Sequence, residues 1–444
     1  MQKKIPTVSV FQFLRHSAKI LKNPLPFHKK NFDKHGDLFQ LNLGLGKSVL
    51  FCRDPELALV ALQKEQKNFR KSDIQTKDLV KYVGKGLLTN EGEDWKKQRK
   101  LLQPTFYKKN IVSLLGIMQD AIRLEMKQLP IQQKFDIFPF FSTLAFKVVA
   151  KSLFGDAITT DEIYRLQHIT EEAQMMLVKE LRQPYKKWWF SLSGELRDKI
   201  QLTDEARDLI LSIIKKRKSK PSQSEDLLDL FLQSTYDDGS VMTEKQLLDE
   251  ILILFIAGHE TTSNALTFTA QLIAQDQKCQ DILTKEAQDL VSSGKSDLVG
   301  IIQSSQHLSN TLNESMRLYP PVYFIDRVNN KKFTYKNMEF PENTTFLFSL
   351  YAMHRKEELW ENPLQFIPGR FSTEKNFSKQ FFPFGAGPRK CIGNNFAMYE
   401  MILIFHQLLS KFQITPHFKE IEITPLISLK PKNAWVSLTK RKNG

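Results

Sequence analysis

The most constraining feature of the chain is an apolar stretch of about thirty residues interrupted at its centre by polar ones. Thr243 followed by Gln246 has the spacing of a capping box, in which each residue satisfies the other's backbone amide at a helix start. Behind it come Leu248, Ile251, Leu252, Leu254 and Phe255, then Leu266, Phe268, Leu272 and Ile273. That pattern predicts one helix about 45 Å long at 1.5 Å per residue. It is apolar nearly all round, so it must run through a core. Its middle reads Ala257-Gly258-His259-Glu260-Thr261-Thr262-Ser263. A glycine weakens a helix interior by about 1 kcal/mol. Hydroxyl side chains compete for the backbone carbonyls and can bend the helix. A carboxyl buried beside a hydroxyl needs a partner or water. Two readings fit: a kinked structural helix, or a proton relay in which an alcohol donates to a bound ligand and an acid re-supplies it.

The rest of the chain frames that helix. Its 444 residues are 41% hydrophobic and 25% charged, the composition of a globular protein and not of a disordered or fibrous one. Short strand patterns occur over residues 37–52, read as a hairpin, over 322–350 and over 434–438, while most of the remainder has helical periodicity. The expectation is a mainly α body with a small β-rich part drawn from both ends of the chain. No internal repeat or long linker divides it, and residues 215–224 read as an exposed polar connection. No unbroken run reaches the ~18 apolar residues of a membrane-spanning helix. The N-terminal segment mixes Lys3, Lys4, Arg15 and Lys19 with Phe11, Phe13, Leu14 and Ile20, so it does not read as a signal peptide. The default expectation is a cytoplasmic, monomeric protein without a span.

The net charge of +15 points to an anionic partner, although scattered lysines also serve plain solubility. Nothing in the pattern favours nucleic acid. The three cysteines, Cys52, Cys279 and Cys391, are far apart and show no CxxC spacing, which excludes a disulfide scaffold and a zinc cluster. Cys391 stands apart from the other two. It lies in Phe384-Gly385-Ala386-Gly387-Pro388-Arg389-Lys390-Cys391-Ile392-Gly393, just ahead of an apolar helix. Glycines there allow tight turns and close backbone approach. A helix N-terminus on one side and Arg389 and Lys390 on the other favour a thiolate.

Residues 384–393 resemble the heme-binding signature of the cytochrome P450 family. Residues 257–262 resemble that family's oxygen-activation motif. Glu314-Ser315-Met316-Arg317 is similar to its ExxR motif, residues 366–371 to its PxRF-type segment, and Trp95 with Arg99 to its WxxxR. Five motifs in order make the resemblance cover about residues 20–440, with residues 1–20 as an extension and no fused reductase. The helix and loop variants are most similar to the branch that includes fatty-acid and carotenoid hydroxylases.

The resemblance implies a single heme domain of the family's fold holding heme b (iron protoporphyrin IX) through the Cys391 thiolate. It implies a monooxygenase that uses dioxygen and two electrons, with Thr261 and water delivering protons and Glu260 feeding them. Arg389, Trp95, Arg99 and Arg327 would hold the heme propionates, an arginine fork being suited to carboxylates. Phe384, Gly387, Gly393 and Ala257 would touch the cofactor. Glu314, Arg317 and Arg370 would form a structural triad. Substrate-pocket candidates are Leu87, Leu88, Ile253, Ile256, Val322, Phe324, Leu426 and Ile427, together with Ala257. All are apolar, so a hydrophobic small molecule such as a fatty acid, carotenoid or terpenoid is implied. Each is equally readable as core. His354 and Trp360 belong to a packing segment and are given no catalytic role.

Electrons would come from a separate ferredoxin or flavodoxin. Lys96, Lys97, Arg99, Lys100, Lys108, Lys109 and Lys390 would offer it a basic face, or serve solubility alone. Residues 184–190 alternate aromatics with lysines, which fits either a lipid-touching patch or a packed loop. A peroxide-using peroxygenase or isomerase and a non-catalytic heme sensor are the competing classes. The Glu260-Thr261 pair argues against both.

Overall fold

The computed structural model describes residues 4–44, 46–220, 226–292, 297–372 and 375–441. Lys3 and residues 221–224 of the expected polar connection lie outside them. The chain forms two compact units. One comprises Met1–Ile74, Asn310–Cys391 and Ile423–Lys430; the other comprises Gln75–Ser309, Ile392–Glu422 and Pro431–Gly444.

The first unit is built on a six-stranded mixed sheet in the order Thr7–Val8, Leu38–Gly44, Lys47–Cys52, Thr345–Ser349, Phe324–Asn329, Phe69–Arg70. The expected hairpin is present as Leu38–Gly44 paired with Lys47–Cys52, with Phe39 opposite Phe51. Their rings stack 5.0 Å apart. Gly44 and Gly46 turn the chain at φ +87° and +72°, a region that strains side chains with a Cβ. Lys47–Cys52 then pairs in parallel with Thr345–Ser349 from the far end of the sequence. Alternation along these strands sends Leu50, Cys52, Phe346 and Phe348 into one apolar core.

The second unit is helical. The predicted capping box exists: Thr243 Oγ1 accepts from Gln246 N–H, and the helix runs as Glu244–Gln275. It packs against Ile137–Phe154, where Phe146 stacks on Phe255 at 4.9 Å. The central glycine has a packing reason, since a Cβ at Gly258 would lie 3.3 Å from Val149 of that neighbour. The helix is α-helical through its polar middle without interruption, so the hydroxyl residues do not open it. Thr261 instead bonds the carbonyl one turn back. A short three-stranded sheet, in the order Phe412–Pro416, Trp435–Lys440, Phe135–Asp136, belongs to the same unit.

One helix bears on the membrane expectation. Ile137–Ala157 is long and apolar enough to cross a membrane by length and composition, its most apolar 18-residue window having mean hydropathy 1.5, although 67% of that window is buried inside the protein. An unbroken-run criterion misses it because Ser142, Thr143, Lys147 and Lys151 punctuate the phenylalanines and valines.

Candidate functional site

In the first unit the cysteine loop is closed by one backbone bond, Cys391 N–H to Phe384 O at 2.9 Å. Gly385 and Gly387 hold φ of +74° and +71° to make that return. Gly387 has a further reason to lack a side chain: its Cβ would stand 1.9 Å from Leu62 O, so this loop rests directly on a neighbouring backbone. The close approach foreseen at this glycine is therefore at least partly to the protein itself. Cys391 is the exposed cysteine; Cys52 and Cys279 are buried. Burial pushes the Cys52 thiol up, so it stays protonated. Three residues beyond Cys391 begins the helix Asn394–Lys411, with Gly393 as its N-cap. A Cβ on Gly393 would meet open space. The exposed Cys391 sulfur fits a cofactor that would be held through a thiolate. Among the described residues no group of three or more His, Cys, Asp or Glu side chains could hold a metal ion.

The triad of Glu314, Arg317 and Arg370 is assembled in the same unit. Arg317 and Glu314 are fully buried on the helix Gln306–Leu318. All five guanidinium donors are used. Nε and Nη2 reach the two Glu314 oxygens at 2.7 and 2.8 Å, Nη1 reaches His354 O and Pro363 O at 2.7 Å each, and Nη2 also reaches Gln365 O at 3.0 Å. Arg370 Nε donates to Glu314 Oε1 at 3.2 Å, and Ile367 N–H donates to the same oxygen at 2.9 Å. Trp360 lies under the Arg317 guanidinium at 5.2 Å. One side-chain cluster thus fastens residues 354–370 to a helix at five points, His354, Pro363, Gln365, Ile367 and Arg370. His354 is buried there, and burial with the nearby Arg317 and Arg355 charges lowers its pKa to about 3.

Arg327 is buried on strand Phe324–Asn329, with Nη1 donating to Asp326 O at 2.7 Å. Arg389 is half-buried in the cysteine loop. Val322 and Ile427 are exposed, whereas Phe324 and Leu426 are partly buried. The Leu426 carbonyl accepts from Tyr323 Oη at 2.6 Å, which joins residues 423–430 to the segment that follows the triad helix.

In the second unit, Trp95 and Arg99 sit one turn apart on the helix Gly92–Leu102, Trp95 buried and Arg99 partly so. On the central helix Ala257 is exposed, and Glu260 and Thr261 are partly exposed, so the acid is less buried than the sequence suggests. Thr261 Oγ1 donates to Ala257 O at 2.9 Å and Ser263 Oγ to Glu260 O at 3.0 Å. His259 is buried against the edge of Phe146, its Nδ1 2.6 Å from Phe255 O. Leu88, Ile253 and Ile256 share one apolar cluster with Tyr82, Met176, Leu177 and Phe190, and Leu87 is partly buried beside it in sequence.

Lys96, Lys97, Lys100, Lys108 and Lys109 are exposed on two adjacent short helices, and Lys390 is exposed in the cysteine loop. Lys100 pairs with Asp237 and Lys96 with Glu93, which trims their field. The aromatic segment becomes Pro184–Lys186 followed by a helix Lys187–Leu192. Tyr185, Trp188, Trp189 and Leu192 are exposed while Phe190 is buried, so the segment is anchored by one ring and presents the others.

Sequence reasoning passed over Glu400. It is fully buried on Asn394–Lys411, and burial raises its pKa well above the carboxylate range. The signal was there: a lone acid inside Phe396-Ala397-Met398-Tyr399-Glu400-Met401-Ile402-Leu403. It also passed over Asp249 and Glu250, adjacent buried acids on the central helix.

The sequence model of one protein family, Cytochrome P450, matches residues 3–438. A cytokinin hydroxylase of Arabidopsis thaliana is 28% identical over 96% of this chain and 86% of its own length. A cyclooctat-9-en-7-ol 5-monooxygenase of Streptomyces melanosporofaciens is 26% identical over 91% and 88%. A pentalenene oxygenase of Streptomyces avermitilis is 25% identical over 90% and 89%.

Proposed function

The chain belongs to the cytochrome P450 family and is therefore a monooxygenase-type oxidoreductase, and on that premise we propose that it hydroxylates a hydrophobic, lipid-like substrate, a fatty acid or a terpenoid, with two electrons supplied by a separate protein. The observation that carries the cofactor assignment is the exposed Cys391 in a loop closed on Phe384 and followed at once by a helix.

When bound, heme supplies the activation of dioxygen and the insertion of one oxygen atom into a C–H bond. Cys391 Sγ is its protein ligand in this reading. Arg327 and Arg389 in one unit, and Trp95 and Arg99 in the other, would each be suited to its carboxylates. Phe384, Gly393 and Ala257 would offer it apolar or side-chain-free surface. The protein's remaining work is with protons and position. Thr261 Oγ1 already donates to Ala257 O, so its lone pairs are what it offers outward. In that rotamer it orients a water. Passing on its own proton requires a rotation that gives up the Ala257 bond, a loss of about 1 kcal/mol. Glu260, partly exposed on the preceding position, replaces the proton from solvent.

Substrate contacts fall to apolar groups: Leu87, Leu88, Ile253 and Ile256 in one unit, Val322, Phe324, Leu426 and Ile427 in the other. Relatives named for a cyclic alkenol and for pentalenene support a substrate of this kind. The exposed lysines of the two short helices offer an acidic electron donor a steering field. Tyr185, Trp188, Trp189 and Leu192 offer a shallow contact with lipid. The test is a panel of fatty acids and terpenoids titrated into the heme-loaded protein, read by the heme absorbance shift, followed by turnover with a ferredoxin system. At least one lipid or terpenoid should shift the spectrum and be hydroxylated, and Thr261→Ala should divert oxygen to peroxide. Unchanged coupling in that variant refutes the relay; no response to the whole panel refutes the substrate class.

A further inference from the structure

Asp249 and Glu250 follow one another on the central helix and each is 1% exposed. Neighbouring helix positions point about 100° apart, yet both of these carboxylates receive the same loop, residues 84–88. Lys85 N–H donates to Asp249 Oδ2 at 2.9 Å, and Leu87 N–H donates to Glu250 Oε1 at 2.8 Å. Amide bonds to ionised carboxylates are about twice as strong as neutral ones.

The loop's sequence is cut to fit them. A Cβ on Gly84 would lie 2.1 Å from Asp249 Oδ1, and one on Gly86 would lie 2.6 Å from Glu250 Oε1. Gly84 also holds φ +76°. Thr89 braces the turn, its Oγ1 accepting from Gly86 N–H at 3.0 Å and donating to Gly84 O at 2.9 Å. Asp249 is tied outward as well. Arg207, from the helix Glu195–Ser219, reaches Oδ1 at 2.5 Å and Lys245 reaches Oδ2 at 2.8 Å. The two residues that end the clamped loop are Leu87 and Leu88, and Leu88 packs in the cluster of Ile253 and Ile256 one turn further along the same helix.

We propose that Asp249 and Glu250 are positioning residues for substrate selection: they clamp the backbone of residues 84–88 and so fix Leu87 and Leu88 against the Ile253–Ile256 face, while Arg207 couples that position to the Glu195–Ser219 helix. The proposal rests on the reading that these four apolar residues line the substrate. The clamp sets which apolar shapes fit and leaves oxygen chemistry to other residues. Glu250→Gln keeps one acceptor oxygen, loses the charge and exchanges the other oxygen for an NH2 donor. Glu250→Ala loses both acceptor and charge.

The experiment uses the heme-loaded full chain and two probes whose imidazole nitrogen ligates heme iron, imidazole itself and 1-dodecylimidazole, read by the heme absorbance. Hydrogen exchange at residues 84–89 is the second readout. Glu250→Ala should raise exchange at Leu87 and lower the dodecylimidazole-to-imidazole affinity ratio about tenfold, with imidazole affinity itself held within about twofold. Glu250→Gln should fall between that variant and the parent, which a purely structural lesion would not produce. Gly86→Ala, whose Cβ would meet both Glu250 Oε1 at 2.6 Å and Ile253 Cδ1 at 2.7 Å and which displaces the loop with both carboxylates intact, should reproduce the effect and serves if Glu250→Ala fails to load heme. Faster exchange with an unchanged ratio overturns the proposal. Leu88→Phe separates the two readings. If it alters the ratio while Glu250→Ala and Gly86→Ala do not, the pocket stands and the clamp falls. If none alters it, the pocket reading falls and takes the clamp with it.

Discussion

Removing Glu314 is the sharpest perturbation of the frame around the cysteine loop. Its carboxylate accepts four hydrogen bonds, from Arg317 Nε and Nη2, Arg370 Nε and Ile367 N–H. Glu314→Gln keeps the volume and removes the charge, leaving two guanidinium groups, one fully buried, without their anion. Breaking one side of such a buried pair costs about 3–5 kcal/mol. Arg317→Met removes a cation and leaves the carbonyls of His354, Pro363 and Gln365 without this donor, at about 1–3 kcal/mol for each that stays buried and unsatisfied. The two losses overlap, because each single change strands the other partner. The double variant should therefore fall short of the sum by about 2–3 kcal/mol. The assay is urea unfolding of the heme-loaded protein by tryptophan fluorescence, with hydrogen exchange at Ile367 as the local reading. Arg317→Lys is the milder variant should either single change prevent folding. Single changes below about 1 kcal/mol, or strict additivity in the double, would refute the reading of this cluster as the clasp of residues 354–370.

Acid should weaken the fold before the carboxylates titrate. His28 and His354 are buried with pKa values lowered to about 3, so the unfolded chain binds protons below about pH 6.5 that the folded chain does not. Each then removes about 1.4 kcal/mol per pH unit, and His354→Gln should flatten the fall in unfolding midpoint between pH 6.5 and 4; an unchanged slope counts against burial as the cause. Glu400 works in the opposite direction. Its raised pKa favours the protonated folded state, so stability drains as pH rises above the ordinary carboxylate range, and Glu400→Gln should equal the parent in acid and exceed it at pH 8. A Gln variant weaker than the parent at pH 8 would show that the charge is needed. Trp188→Ala with Trp189→Ala should abolish retention on floated liposomes, since both rings are exposed beside a buried Phe190; unaltered retention leaves the patch a plain surface.

What the sequence made legible follows from the range of the interactions. The central helix was readable because its capping box spans four residues and its apolar pattern is local. The Leu38–Cys52 hairpin was readable for the same reason, through two glycines and alternation. The Glu314–Arg317 pair was visible as a spacing on one helix, but its hold on His354, Pro363 and Gln365 was not, because those carbonyls belong to a segment without periodicity. The parallel pairing of Val49 with Thr345 joins residues about two thirds of the chain apart, and no local pattern announces it. Gly387 was noticed as a turn former, yet the carbonyl it must avoid, Leu62 O, comes from a distant turn of helix. The clamp of Asp249 and Glu250 escaped for a similar cause. Nothing local to Gly84 and Gly86 points to the carboxylates they approach, which lie on a helix more than 160 residues further along the chain. The spanning-length helix Ile137–Ala157 was hidden by a few polar residues that the helix places among its buried neighbours.

The account turns on the sulfur of Cys391. The decisive measurement is the absorbance spectrum of the purified, heme-loaded protein after reduction and exposure to carbon monoxide, taken beside Cys391→Ser. The parent should show the strongly red-shifted Soret band of a thiolate-ligated heme, and the serine variant should lose it while keeping its secondary structure. A parent without that band, or a serine variant that retains it, would contradict the assignment.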